Sequence, residues 1–246
     1  MSRILAFVDD SPCAPDVVAT ADAIGLTLDA DVDVVTAVDV EPERGVSSPR
    51  ARPVVGTVPA ILLAEVDATD VIAAVVGYRA SPDPAKPLGH VAEEMAVTMA
   101  KPLVVVPLGA GSPAVPPTVL VPLDGAPSTA RAVSEVVDRL RGGDARIVTL
   151  HVYQTASVPA LVSSAEDLRI IAEEFDAIHC EGRSDTVELR FGVAESSIPD
   201  VVEHVGADAV VVAWGQRLEP DRASVVRRLI DGDTRIVLVP RPPTEP

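Results

Sequence analysis

Apolar positions along the chain alternate between two rhythms. Residues 4–8 and 32–38 are short, largely β-branched runs that predict strands, and between them Val17, Ala21, Ile24 and Leu28 fall at helical spacing. The same order returns after Thr118. Val119-Leu120-Val121-Pro122-Leu123 predicts a strand, Val133, Val136, Val137 and Leu140 fall at i, i+3, i+4 and i+7, and residues 147–152 predict another strand. Third strands follow at 53–55 and 187–191. Each precedes a glycine, Gly56 or Gly192, and then a helix: 60–66 in the first half, and in the second a face of Ile198, Val201, Val202 and Val205. Asp70-Val-Ile-Ala-Ala-Val-Val-Gly77 matches Asp208-Ala-Val-Val-Val-Ala-Trp-Gly215 as fourth strands, and Leu103-Val-Val-Val-Pro107 matches Ile236-Val-Leu-Val-Pro240 as fifth. Self-similarity over so long a period marks a duplication.

The halves differ in the middle. Ser163 or Ser164, with an acid three residues on, opens a capped helix through Leu168, Ile171, Phe175 and Ile178. Residues 39–52 are short and rich in Pro, Gly and Ser, so the first half reads as having lost that helix. Residues 108–117 read as a linker and 241–246 as a tail, leaving one repeat over 1–107 and a second over 118–240. Strands alternating with helices imply parallel β-α-β units with right-handed crossovers. The expected fold is therefore α/β: two tandem doubly wound five-stranded parallel sheets, packed against each other as a pseudo-dimer because each half alone has a thin core. Ligands meet such sheets at the carboxyl ends of strands, near the topological switch. That places Asp9 with Gly77, and Asp124 with Gly215, at two candidate sites.

Composition narrows the partners. The 246 residues carry 20 Lys+Arg against 37 Asp+Glu, a formal charge of −17, and so lack the cationic surface that nucleic acid binding needs. No apolar run approaches the ~18 residues of a membrane span, and Met1-Ser2-Arg3 leads straight into a strand pattern rather than a signal sequence, so a cytoplasmic protein is expected. Aromatic residues make up only 2%, which leaves a core of Val, Ile, Leu and Ala suited to parallel strands covered on both faces. Neither G-x-G-x-x-G nor G-x-x-x-x-G-K-[ST] occurs, no G-x-S-x-G elbow is present, and His90, His151, His179 and His204 have no metal-ligand spacing. A receiver reading of Asp9-Asp10 fails, since no acid ends the third strand and Lys101 precedes the fifth.

The ordered set of segments resembles the universal stress protein family over nearly the whole chain, as a tandem pair. In the second half the resemblance is carried by Val119-Leu-Val-Pro-Leu-Asp-Gly-Ala-Pro127, Leu150-His151-Val152, Phe191-Gly-Val-Ala-Glu-Ser-Ser-Ile198, Ala207-Asp-Ala-Val-Val-Val-Ala-Trp-Gly215 and Ile236-Val-Leu-Val-Pro240. In the first it is carried by Phe7-Val-Asp-Asp-Ser-Pro12 and Ala74-Val-Val-Gly77. The resemblance implies a strand order of 3-2-1-4-5, a Rossmann-like fold of the adenine nucleotide alpha hydrolase kind, and, in one branch, ATP or another adenine nucleotide as ligand. It assigns to that ligand Asp124, Val152, Gly215, Arg217 and Ser224 in the second half and Asp9, Gly77, Arg79 and Gly89 in the first.

That branch carries G-x2-G-x9-G-[ST], whose small residues let backbone N–H groups approach phosphates. This chain departs from it twice. Gly77-Tyr-Arg-Ala80 lacks the second glycine, Gly89 comes one residue early, and His90 stands where a hydroxyl is expected. Gly215-Gln-Arg-Leu218 leads to Ala223-Ser224 through a shorter loop with neither later glycine, and Leu218 would crowd the backbone. Arg79 and Arg217 either replace the lost contacts by charge-assisted bonds or are solvated loop arginines. Asp9 and Asp124 either accept from an adenine amino group or cap the next helix. His151 is a structural histidine or a switch, and Cys13 an inert thiol or one activated at a helix start.

These residues lead to a non-catalytic stress-response module with a weakened nucleotide site, better kept in the second half, where Trp214 stands beside Gly215 as an optical reporter. Two alternatives stay open. One is a nucleotide-free scaffold that contacts another protein or itself through sheet edges; the other is an adenylating or phosphotransfer enzyme of related architecture.

Overall fold

The computed structural model describes residues 1–38, 50–79, 87–153, 164–218 and 223–241. Ala80, Ser163, most of the shortened middle at 39–49 and the tail from 242 lie outside the described residues. The first half runs β1 (Arg3–Phe7), α1 (Ala14–Leu28), β2 (Asp31–Val38), β3 (Arg52–Val55), α2 (Ala60–Val66), β4 (Val71–Tyr78), α3 (His90–Thr98) and β5 (Leu103–Pro107). The second runs β6 (Thr118–Pro122), α4 (Pro127–Gly142), β7 (Arg146–Tyr153), α5 (Ala165–Phe175) with a π turn at Asp176–Cys180, β8 (Thr186–Phe191), α6 (Ala194–Val205), β9 (Ala209–Trp214), α7 (Ser224–Ile230) and β10 (Arg235–Pro240). Ser164 is the residue that caps α5: its hydroxyl accepts from the Asp167 N–H at 3.1 Å, and the Asp167 carboxylate accepts from the Ser164 N–H at 2.8 Å.

All ten strands join one sheet in the order β3-β2-β1-β4-β5-β10-β9-β6-β7-β8, so each half has the doubly wound order 3-2-1-4-5. The expectation of two packed sheets is corrected by one ladder. β5 and β10 pair antiparallel, with Val105 opposite Ile236, Val104 opposite Val237 and Leu103 opposite Leu238, whereas the other strand pairs are parallel. Left alone, each would be an apolar edge with a row of unpaired N–H and C=O groups. Joining the halves edge to edge satisfies both rows and leaves β3 and β8 as the outer edges.

Strands buried on both faces read as continuous apolar runs, and successive side chains divide between two layers. Leu5, Ala74, Leu120, Leu150 and Ile236 pack under α2, α3, α6 and α7; Ile4, Ala6, Val75, Val121, Ile147 and Val211 pack under α1, α4 and α5. Hydrogen bonds also cross between the halves. The Tyr78 hydroxyl donates to the Ile230 carbonyl at 3.0 Å, Trp214 Nε1 to Ala96 at 2.6 Å, and Gln216 Nε2 to Met99 at 2.8 Å. The connection at 108–117 is pinned as well: Asp16 accepts from the N–H groups of Gly109 and Gly111, and Asp208 from those of Ala114 and Thr118. Among the described residues no helix is long and apolar enough to cross a membrane.

Candidate functional site

The carboxyl ends of β6, β7, β8 and β9 bring the second-half candidates to one end of the sheet. Asp124 follows β6 directly. Its carboxylate accepts from the Ala126 N–H at 2.9 Å and from the Thr129 hydroxyl at 3.0 Å, so it braces the first turn of α4, and Arg241 donates to the same hydroxyl at 3.2 Å. Gly125 turns the chain there at φ +83°, a conformation glycine adopts without strain. His151 is held as a structural residue: Nδ1 bonds the Leu123 carbonyl at 2.8 Å and its ring stacks on Phe175 with centroids 4.4 Å apart.

Val152 is half-buried in β7, opposite Arg190 of β8. Beyond it the last residues of those strands, Tyr153 and Phe191, stack at 5.8 Å, and Phe191 and Val193 remain exposed. This aromatic pair was missed in the sequence, because Tyr153 and Phe191 lie 38 positions apart and only strand register brings them together.

Gly215 and Gly77 differ sharply. A Cβ built on Gly215, which is exposed just past β9, meets nothing within 4 Å. On Gly77, inside β4, the same atom would lie 2.7 Å from Cys13 Cβ and 3.0 Å from Val17 Cγ2. The start of α1 therefore rests directly on β4, and packing alone demands a glycine at 77. Cys13 is buried in that contact with Sγ 3.5 Å from the Tyr78 carbonyl, and burial pushes its thiol above the ordinary value, the reverse of an activated thiolate.

The remaining first-half candidates are held by local turns or exposed. Asp9 accepts from the Ser11 N–H at 3.0 Å, a local turn before α1. Gly89 precedes α3 at φ +76° with open space around it, and Arg79 and His90 are exposed. In the second half Arg217 is exposed too. Leu218 does not crowd the loop: its side chain turns into the core and is 8% exposed, while Arg227 holds its carbonyl at 3.0 Å. Trp214 likewise points away from the candidate site, buried against α3 of the other half through its bond to Ala96, so the reporter role expected of it is misplaced.

Ser224 opens α7, and its hydroxyl beside the Glu195 carboxylate of α6 holds Glu195 below the usual carboxylate range. Glu195 is a second residue the sequence did not flag. Its partner lies 29 positions away on a helix whose packing against α6 has no sequence signature of its own.

The geometry defines a class first: a doubly wound α/β protein whose two halves share one strand order. Residues 117–234 match the model of the universal stress protein family. The fold matches a universal stress protein from Archaeoglobus fulgidus DSM 4304, at a TM-score of 0.65 and 14% identity over 99% of this chain and 97% of that one. A functionally unknown protein from Pseudomonas aeruginosa PAO1 matches at 0.67 and 12%, covering 98% and 93%. The cytoplasmic domain of a prokaryotic cation chloride cotransporter matches at 0.51 and 12%, covering 96% and 94%. A search of curated proteins finds no relative of this chain. The segment that matches the universal stress protein family runs from β6 to the end of α7.

Proposed function

We propose that this protein is a non-catalytic, cytoplasmic stress-response module that takes an adenine nucleotide weakly at the second-half switch point. The observation that carries the reading is Gly215. Its matching glycine, Gly77, is explained by the close approach of α1, whereas nothing in the packing asks for a glycine at 215, and its open surroundings leave room for a ligand against the backbone. In this reading Asp124, at the end of β6, meets the base, and Arg217 and Ser224, which flank the loop after β9, meet the phosphates. Binding is weak because the two later glycines are missing, each removing close backbone contacts worth about 1 to 3 kcal/mol when charge-assisted.

The Glu195 carboxylate beside Ser224 favours a second reading, a nucleotide-free scaffold, because an anion already lies next to the hydroxyl a phosphate would use. In that case β3 and β8 are the edges through which the chain associates with itself or with another protein. Calorimetric titration of the full chain with ATP separates the two. Micromolar or weaker binding, lost in Asp124→Ala and kept in Asp9→Ala, supports the nucleotide reading. Sub-micromolar binding overturns its weakness, and no heat at millimolar ATP leaves the scaffold.

A further inference from the structure

On the face carrying α1 and α4, the middle of the sheet lies buried at the floor of a gap between the two helices. The two helices diverge from a contact where Gly143 backs onto the carbonyl of Thr27, and between them a cleft of about 700 Å³ opens onto β4, β5, β10 and β9. Ile72, Val104, Val237 and Val239 contribute apolar side chains to its lining. The volume and the apolar lining are those of a small-molecule site.

The charge of this cleft runs against the whole chain. The protein as a whole is −17, yet five cations line the cleft, Lys101, Arg131, Arg139, Arg235 and Arg241, against two acids, Glu135 and Asp208. Both acids are committed, Glu135 to Arg139 at 2.7 Å and Asp208 to the N–H groups of Ala114 and Thr118. Arg235 is buried and committed to the Thr20 hydroxyl and to backbone carbonyls. Lys101 Nζ donates only to the carbonyls of Ala68 and Val71, Arg241 only to the Thr129 hydroxyl, and Arg131 projects from the exposed side of α4. Among the described residues, none of these last three has a carboxylate partner within ion-pair distance.

A valine-lined trough with unpaired cations in an otherwise acidic protein is complementary to one chemistry: an apolar chain ending in an anion. We propose that the cleft between α1 and α4 binds a single-chain aliphatic carboxylate of the fatty-acid class, its tail over Val104, Val237 and Val239 and its carboxylate at Arg131 and Arg241. The site is made by the joining of the two halves, and its Arg241 end adjoins the second-half switch point through Thr129.

The test is calorimetric titration of the full chain with octanoate, decanoate and dodecanoate below their micelle concentrations, and with decanol as the uncharged counterpart. The expected result is saturable one-to-one binding that tightens up to about fourfold per added methylene, as burial of each CH₂ requires. Decanoate should bind at least tenfold more tightly than decanol. That preference should disappear in Arg131→Gln/Arg241→Gln, two exposed positions, while decanol binding stays. Ser134→Trp, which fills the cleft from α4 without altering the sheet, should abolish both. Equal affinity for decanol and decanoate, affinity independent of chain length, or a preference unmoved by the double variant would overturn the proposal. So would absence of decanoate binding with a sedimentation dimer, which would mean that a second copy of the chain covers this face.

Discussion

A methyl group on Gly77 would press against Cys13 and Val17, at 2.7 and 3.0 Å, in a core where neither α1 nor β4 can withdraw without disturbing the sheet. Gly77→Ala is therefore expected to lower stability in urea by about 1 to 3 kcal/mol, the usual cost of overpacking. Gly215→Ala meets open space, so its stability should stay within about 0.5 kcal/mol of the parent, as for exposed positions generally; its effect should fall on ATP titration instead. Glu195→Gln makes the complementary prediction. Removing the charge that holds the Ser224 hydroxyl should tighten ATP binding, and calorimetry showing weaker or unchanged affinity would count against Ser224 as a ligand. One titration belongs to this scale too. The Tyr78 phenol is buried and its pKa is pushed above the ordinary value, so the folded protein keeps that proton to higher pH than the unfolded chain. Its contribution is intact below the unfolded pKa near ~10 and is lost as pH rises beyond it. Urea midpoints at pH 8 and 10.5 should fall accordingly, and less steeply in Tyr78→Phe.

At the scale of elements, helix–helix contact rather than helix propensity holds the α1 and α4 layer. The C-terminal end of α4 reaches the last turn of α1 at Gly143, where a Cβ would stand 1.7 Å from the Thr27 carbonyl oxygen and 2.7 Å from its carbon. The clash is with backbone, so no rotamer relieves it and the two helices must separate. Gly143→Ala should cost at least the upper end of the ~1–3 kcal/mol overpacking range, measured as a lowered thermal midpoint, and should widen the cleft between the helices. The faces of α1, α4 and α6 were legible, because the 3.6-residue period shows which residues are buried; which helix meets which was not, because that depends on sheet twist and strand order. The same holds for Glu195 and Ser224, each ordinary at its own helix start.

For the whole molecule, the antiparallel β5–β10 ladder and the bonds from Tyr78, Trp214 and Gln216 tie the halves into one unit. Residues 1–115 expressed alone would expose the Leu103–Pro107 edge and the inner side of α3. They are expected to dimerise or aggregate and to unfold at lower urea than the full chain; an equally stable, cooperative monomer would show that the halves are independent. Trp214 sits in this junction, so its emission should report loss of the junction on unfolding and should change little when ATP is added to the folded protein.

By itself the sequence determined the strands and most of the helices, the doubly wound α/β class and the strand ends where Asp124 and Gly215 lie. These follow from local periodicity and segment order, which every residue carries with it. Only the tertiary structure decided that the two five-strand units merge into one sheet, that Gly77 serves packing while Gly215 does not, that Trp214 faces the junction, that Leu218 enters the core, and that cations gather over the central valines. Each of these depends on which distant residues become neighbours. An apolar edge such as Leu103-Val-Val-Val-Pro107 looks the same in sequence whether it ends a sheet or sits at its centre, and its unpaired backbone groups are satisfied only when the partner strand, more than 130 residues later, folds against it.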